Sequence, residues 1–123
     1  MDIYALHELL ALNRALVSDT WNFFLTVHLA IFGIIYISTG AIRLYERVAL
    51  LLAYGGFLYI NFRAQKDNYD EQGSLVEAIN AEGGSPIAMA GSDWIVAYLP
   101  QIYLCAAIVG AIIILSTNQN RQR

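Results

Sequence analysis

Apolar residues in this chain come in long unbroken blocks separated by short polar stretches. The first block runs from Trp21 to about Ser38, WNFFLTVHLAIFGIIYIS. A helix rises 1.5 Å per residue, so about 18 to 20 residues cross a hydrocarbon core of about 30 Å. Thr39-Gly40 follows, too short to be anything but a turn, and a second block runs from near Ala41 to near Phe62. The two blocks therefore predict an antiparallel helical hairpin over 21–63. Residues 64–93 are polar and acidic. Their first part, AQKDNYDEQ, contains no Gly or Pro, so the second helix is expected to run past the membrane surface. Gly73 is a candidate interruption, and Gly83-Gly84-Ser85-Pro86 is a strong stop. The third block spans Trp94 to about Leu115 and leads into a short basic tail ending at 123. The expectation is an all-α integral membrane protein with three transmembrane helices, near 21–39, 42–63 and 94–116.

Residues 1–20 are expected to form a separate, non-spanning amphipathic helix. On a helical wheel His7, Glu8, Ala11, Arg14 and Ser18 share one face, with Leu6, Leu9, Leu10 and Leu16 mostly opposite. Asn13 interrupts the apolar side. Such a helix lies on the membrane surface or packs on the polar loop. Ser18-Asp19-Thr20-Trp21 precedes the first span and Ser92-Asp93-Trp94 the third. Each reads as a helix cap, with an acid at the positive helix end and a tryptophan at headgroup level. Tyr36, Tyr45, Tyr59 and Tyr98 read as further interface anchors.

Composition agrees with the pattern. Of 123 residues 58% are hydrophobic and 14% charged, against about 25% charged in soluble domains. A net charge of −3 argues against nucleic acid as a partner. Cys105, alone in an apolar run, reads as a packing residue. The N-terminal segment has no basic start and its apolar residues are interrupted by His7, Glu8 and Arg14, so it does not read as a signal peptide. In a three-span arrangement Arg14, Arg63 and Lys66 share one side with nine acids, while Arg43, Arg47, Arg121 and Arg123 share the other with Glu46 alone. Counting Lys and Arg by the positive-inside rule places the N-terminus and the 64–93 loop outside and the C-terminus in the cytoplasm.

Few residues offer chemistry. His28 lies about 10 Å along the helix axis beyond Trp21, and intramembrane ionisable groups are functional candidates. It has the chemistry to ligate haem or a metal, to relay a proton, or simply to bond another helix. No second histidine, cysteine or carboxylate accompanies it at metal-ligand spacing, so no cofactor is expected, and haem or metal stays the lesser reading. His7, Glu8, Asp19, Glu82 and Asp93 fall on one side as a candidate cation cluster or a solvated acidic surface. Asn22 and Thr26, four apart, with Gly33 beyond, form a polar and small-residue stripe suited to helix packing or to lining a pore. Gln101 beside the helix-kinking Pro100 suits an interhelical bond or a transport site. Ala49, Ala53 and Gly56 on the second span, and Ala106, Gly110 and Ala111 on the third, are small-residue faces that let backbones approach closely.

No nucleophile triad, phosphate loop or zinc motif is present, and an enzyme acting alone is not expected. The pattern fits a small accessory subunit of a membrane complex or a self-associating scaffold, with lipid and other transmembrane helices as partners. A homo-oligomeric pore is the alternative. Three spans, a basic tail and an outside N-terminus are similar in topology to phage class I holins, although the long acidic loop departs from them. A subunit lending His28 to a redox, metal or proton-transfer site is the second alternative.

Overall fold

The computed structural model describes residues 2–37, 42–83 and 93–116. They form three helices: α1 (Ile3–Ile37), α2 (Leu44–Ala81) and α3 (Asp93–Ser116). At 35, 38 and 24 residues they measure about 52, 57 and 36 Å. α2 is the central element and packs on both α1 and α3, antiparallel to each. Two helices, α1 near the N-terminus and α3, are long and apolar enough to cross a membrane. The apolar run of α2 is cut short by Asn61, Arg63, Gln65 and Lys66.

The expected break before Trp21 does not exist. Residues 3–37 are one helix, because no Gly or Pro occurs before Gly33. Ser18, Asp19 and Thr20 lie inside it, and the Thr20 hydroxyl donates to the Leu16 carbonyl (2.8 Å) instead of capping a new helix. The helical part of residues 1–20 packs on the polar end of α2. Leu6 and Leu10 bury against Val76 and Ile79 on the far end of α2. The predicted polar face, His7, Glu8, Ala11, Arg14 and Ser18, is exposed. Leu9 and Leu16 are exposed as well. The buried line of α1 is Leu6, Leu10, Asn13, Val17, Phe24 and Ile35. Those steps of four, three, four, seven and eleven are the heptad spacing of a two-helix seam, which a 3.6-residue wheel blurs.

α2 answers with Tyr54, Leu58, Asn61, Gln65, Tyr69, Gln72, Val76 and Ile79. It continues through Gly73 and ends where the glycine pair predicts. Glu82 closes the last turn by donating its N–H to the Ala78 carbonyl, and Gly83 takes a left-handed φ of 84°. At its start the Glu46 carboxylate accepts the Arg43 backbone N–H (2.8 Å), occupying a free donor of the first turn. Arg47 donates to the Leu115 carbonyl (2.8 Å) and so places a cation at the negative end of α3. Lys66 and Asp70 pair at 3.6 Å on the exposed surface. Pro100 sits inside α3, which runs unbroken from Asp93 to Ser116. The Thr39-Gly40 turn, the 84–92 connector and the tail with Arg121 and Arg123 lie outside the described residues.

The interior divides into three levels. An apolar cluster of Val17, Phe24, Ile35, Tyr54, Leu58, Tyr69, Leu99, Tyr103 and Ile114 joins all three helices. A smaller one, Leu6, Leu10, Val76 and Ile79, joins only α1 and α2. Between them the α1–α2 seam buries the amides Asn13, Gln65 and Gln72.

Candidate functional site

Heptad spacing puts Phe24, His28, Ile31 and Ile35 of α1 on the side facing α2. Tyr54 of α2 points back at the same level. The His28 Nε2 lies 2.7 Å from the Tyr54 hydroxyl, and its Nδ1 lies 2.6 Å from the Phe24 carbonyl one turn earlier. The Tyr54 hydroxyl donates to the Ala106 carbonyl of α3 (2.9 Å). One chain of polar contacts thus crosses all three helices. Rings enclose the imidazole: Phe24, Tyr54, Phe32 and Phe57 have centroids 4.2, 5.3, 5.7 and 6.1 Å from its own.

Gly110 makes this possible. A Cβ there would stand 2.6 Å from the Tyr54 Cζ, so only glycine leaves room for the tyrosine ring against α3. The small-residue face of α3 is accordingly filled by its own chain. Gly110 is buried under Tyr54, and Ala106 packs on the core. The face of α2 is the reverse. Ala49, Ala53 and Gly56 are exposed, and a Cβ at Gly55 or Gly56 would meet nothing within 4 Å. Gly33 is similarly open. Ala111 is half-buried.

A second link lies nearer Trp21. The Tyr103 hydroxyl of α3 donates to Asn61 Oδ1 of α2, and Asn61 Nδ2 donates to the Thr20 carbonyl of α1 (3.4 Å). Tyr103 also stacks on Trp21 at 6.0 Å and meets Phe24 and Phe62 edge-on. Trp21, expected as an interface anchor, is half-buried and donates to the Tyr69 hydroxyl (2.9 Å).

Beyond this level the buried amides tie α1 to α2. Gln65 Nε2 donates to the Val17 carbonyl (3.2 Å), Asn13 Nδ2 to the Asn68 carbonyl (2.9 Å), and Asn68 Nδ2 to the Thr20 hydroxyl (3.2 Å). Asn13, which looked like a flaw in an apolar face, is a seam residue. Asn13 Oδ1 and Gln65 Oε1 are buried without a hydrogen-bond donor among the described residues.

The other sequence candidates stand apart from these links. Asn22, Thr26, Pro100 and Gln101 are exposed. The Thr26 hydroxyl donates to the Asn22 backbone carbonyl (2.8 Å) within α1. Pro100 lines a shallow groove between α2 and α3 with Leu58, Tyr59, Phe62, Tyr103 and Leu104. His7, Glu8, Asp19 and Glu82 are exposed, and among the described residues no three His, Cys, Asp or Glu side chains come together as a metal site. Asp19 instead edges a groove of about 310 Å³ between α1 and α2, with Phe23, Phe57 and Asn61.

Sequence reasoning missed Tyr54, Tyr103 and the amide seam. The seam did leave a signal, since Asn61, Gln65, Asn68 and Gln72 repeat at steps of four, three and four. Tyr54 left none, because nothing in the sequence pairs it with Gly110. Comparison with protein-family models, with curated proteins and with solved structures gave no match for this chain.

Proposed function

We propose that the chain is a three-span integral membrane protein that works by associating with other transmembrane helices and has no catalytic activity alone. The packing of α2 supports the third span. Its Tyr54 and Leu58 share one apolar cluster with Phe24 and Ile35 of α1 and Tyr103 and Ile114 of α3. If α1 and α3 cross the bilayer, α2 crosses between them. On this reading the hairpin projects beyond the membrane on the side of Asp19 and the acidic segment. Its end, residues 3–20 with 65–81, is a two-helix stalk held by the amides and the smaller cluster. The excess of arginine at the opposite face, Arg43, Arg47, Arg121 and Arg123, puts that face in the cytoplasm and the stalk outside.

One observation carries the association reading. The Ala49–Ala53–Gly56 face of α2 is exposed, with open space over Gly55 and Gly56. The comparable face of α3 is occupied by Tyr54. In lipid, close backbone approach along small residues is a main source of helix attraction. The face suits a second copy or one helix of a larger complex.

Native purification in mild detergent with mass spectrometry, alongside cross-linking in intact membranes, tests the proposal. Co-purifying proteins support an accessory subunit, and a small assembly of one chain supports a scaffold. A closed ring of copies favours the pore. A monomer with no cross-linked neighbour refutes association. Gly56→Leu is expected to weaken any complex about tenfold, from about 1–2 kcal/mol of lost contact.

A further inference from the structure

We propose that the groove between α2 and α3 binds one phosphatidylethanolamine molecule, a phospholipid whose head carries a phosphate and, beyond it, a primary ammonium. The site rests on the reading of α2 as a membrane span. Leu58, Tyr59 and Phe62 of α2 and Pro100, Tyr103 and Leu104 of α3 line an apolar groove of about 250 Å³. Phe62 and Pro100 also line the next pocket along the two helices, of about 90 Å³, whose walls include Lys66, Asp70 and Val96. An apolar trough therefore leads into a charged end.

The order of the charges names the lipid. α2 leaves the membrane toward its C-terminal end, so the apolar groove comes first, then Lys66, then Asp70. Each step is about one helical turn, roughly 6 Å along the axis. From the bilayer centre outward, phosphatidylethanolamine presents acyl chain, phosphate and ammonium. Each level thus meets its complement: apolar side chains against the acyl chain, the Lys66 ammonium against the phosphate, the Asp70 carboxylate against the lipid ammonium. This order holds whichever side of the membrane is the cytoplasm. Lys66 and Asp70 pair with each other at 3.6 Å, with side chains 53% and 62% exposed. Exposed pairs add little stability and open readily, and the lipid head gives each charge a new partner.

Pro100 adds a second polar feature. It has no N–H, so the carbonyl of Val96, in the wall of the charged pocket, lacks its usual helical donor. A primary ammonium has three N–H donors to offer Asp70 and this carbonyl. The trimethylammonium of phosphatidylcholine has none, and phosphatidylglycerol sets an uncharged glycerol against Asp70. Arg63 and Asp67 repeat the basic-then-acidic order on α2, but neither lines the groove or the pocket. The groove shares no residue with the Ala49–Ala53–Gly56 face.

The test uses the full chain on a Cys105→Ser background, purified in mild detergent. It is titrated with phosphatidylethanolamine, phosphatidylcholine and phosphatidylglycerol of identical acyl chains, and native mass spectrometry reads the first bound lipid. Phosphatidylethanolamine should bind about fivefold more tightly than either of the others, the worth of one exposed charged contact. Asp67→Asn should keep that preference, and Asp70→Asn should reduce it below about twofold. Lys66→Asp combined with Asp70→Lys keeps an ion pair on the helix but reverses its order, and should remove the preference. Equal binding of the three lipids by the parent chain, or a preference that survives the exchange, would overturn the proposal. A spin label on Ile60→Cys, exposed on α2, separates this result from the topology in lipid nanodiscs. Relaxation of the label by oxygen dissolved in the hydrocarbon confirms the span, and a lack of lipid preference then counts against the site alone. Relaxation by a water-soluble nickel complex instead would refute the span and the site with it.

Discussion

Gly110→Ala is the smallest change that tests the packing of the three helices. The added Cβ would lie 2.6 Å from the Tyr54 Cζ and 2.5 Å from its hydroxyl oxygen, where ordinary contact begins at 3.4 Å. Tyr54 must therefore retreat by about 1 Å or α3 must move out by as much. The ring cannot swing freely, because its hydroxyl is held at 2.7 Å from His28 and 2.9 Å from the Ala106 carbonyl. Moving α3 out by that much stretches the Tyr54–Ala106 contact past 3.5 Å, where hydrogen bonding fades. Overpacking a close-fitted site costs about 1–3 kcal/mol, and hydrogen bonds between membrane helices average about 0.6 kcal/mol each. The expected loss is about 2–4 kcal/mol. Reversible unfolding in mixed micelles measures it, with Gly56→Ala as the control, since open space there predicts a change within about 0.5 kcal/mol. Tyr54→Ala combined with Gly110→Ala should recover more than 1 kcal/mol relative to additive losses, because each change removes the other's clash. Wild-type stability in Gly110→Ala, or strict additivity of the pair, would refute this account of the α2–α3 contact.

Three further outcomes follow from the same contacts. Gln65→Leu removes a fully buried amide whose oxygen has no donor among the described residues, so stability should stay level or rise by about 1 kcal/mol in thermal unfolding. The cost should appear as mixed α1–α2 registers in disulfide trapping, since buried amides specify register, and a single register would count against that role. Arg47→Gln removes the cation at the C-terminal end of α3 and should cost about 0.5 kcal/mol in the same unfolding assay, with amide exchange accelerated in the last turn around Leu115. On a Cys105→Ser background, single cysteines at Asp19 and Asp93 should label from the same side of intact cells and a cysteine at Asn120 from the other. Outside labelling at 120 would reverse the orientation, and opposite labelling at 19 and 93 would refute three spans.

The sequence by itself determined the helices and most of their ends. Apolar blocks of spanning length and the Gly83-Gly84 stop are local properties, and local chemistry wrote them plainly. It also singled out His28 and Gly110, because an ionisable group or a glycine among long apolar side chains stands out wherever it lies. What it left open was which helix faces which. The break expected before Trp21 rested on a capping pattern, Ser18-Asp19-Thr20, that a continuous helix absorbs by turning the threonine back on its own carbonyl. Asn13 counted as a flaw until the far end of α2, more than fifty residues on, supplied the Asn68 carbonyl. The two small-residue faces are equivalent in sequence, yet one is filled and one is open. The difference is a single ring, Tyr54, reaching from α2 onto Gly110. Contacts of that kind join residues far apart in the chain and depend on the rotation of each helix about its axis. A small-residue face defines a surface that can be approached closely, while the tertiary structure decides what approaches it. The chain of contacts at His28 has the same origin, for it exists only once Tyr54 stands between the His28 imidazole of α1 and the Ala106 carbonyl of α3.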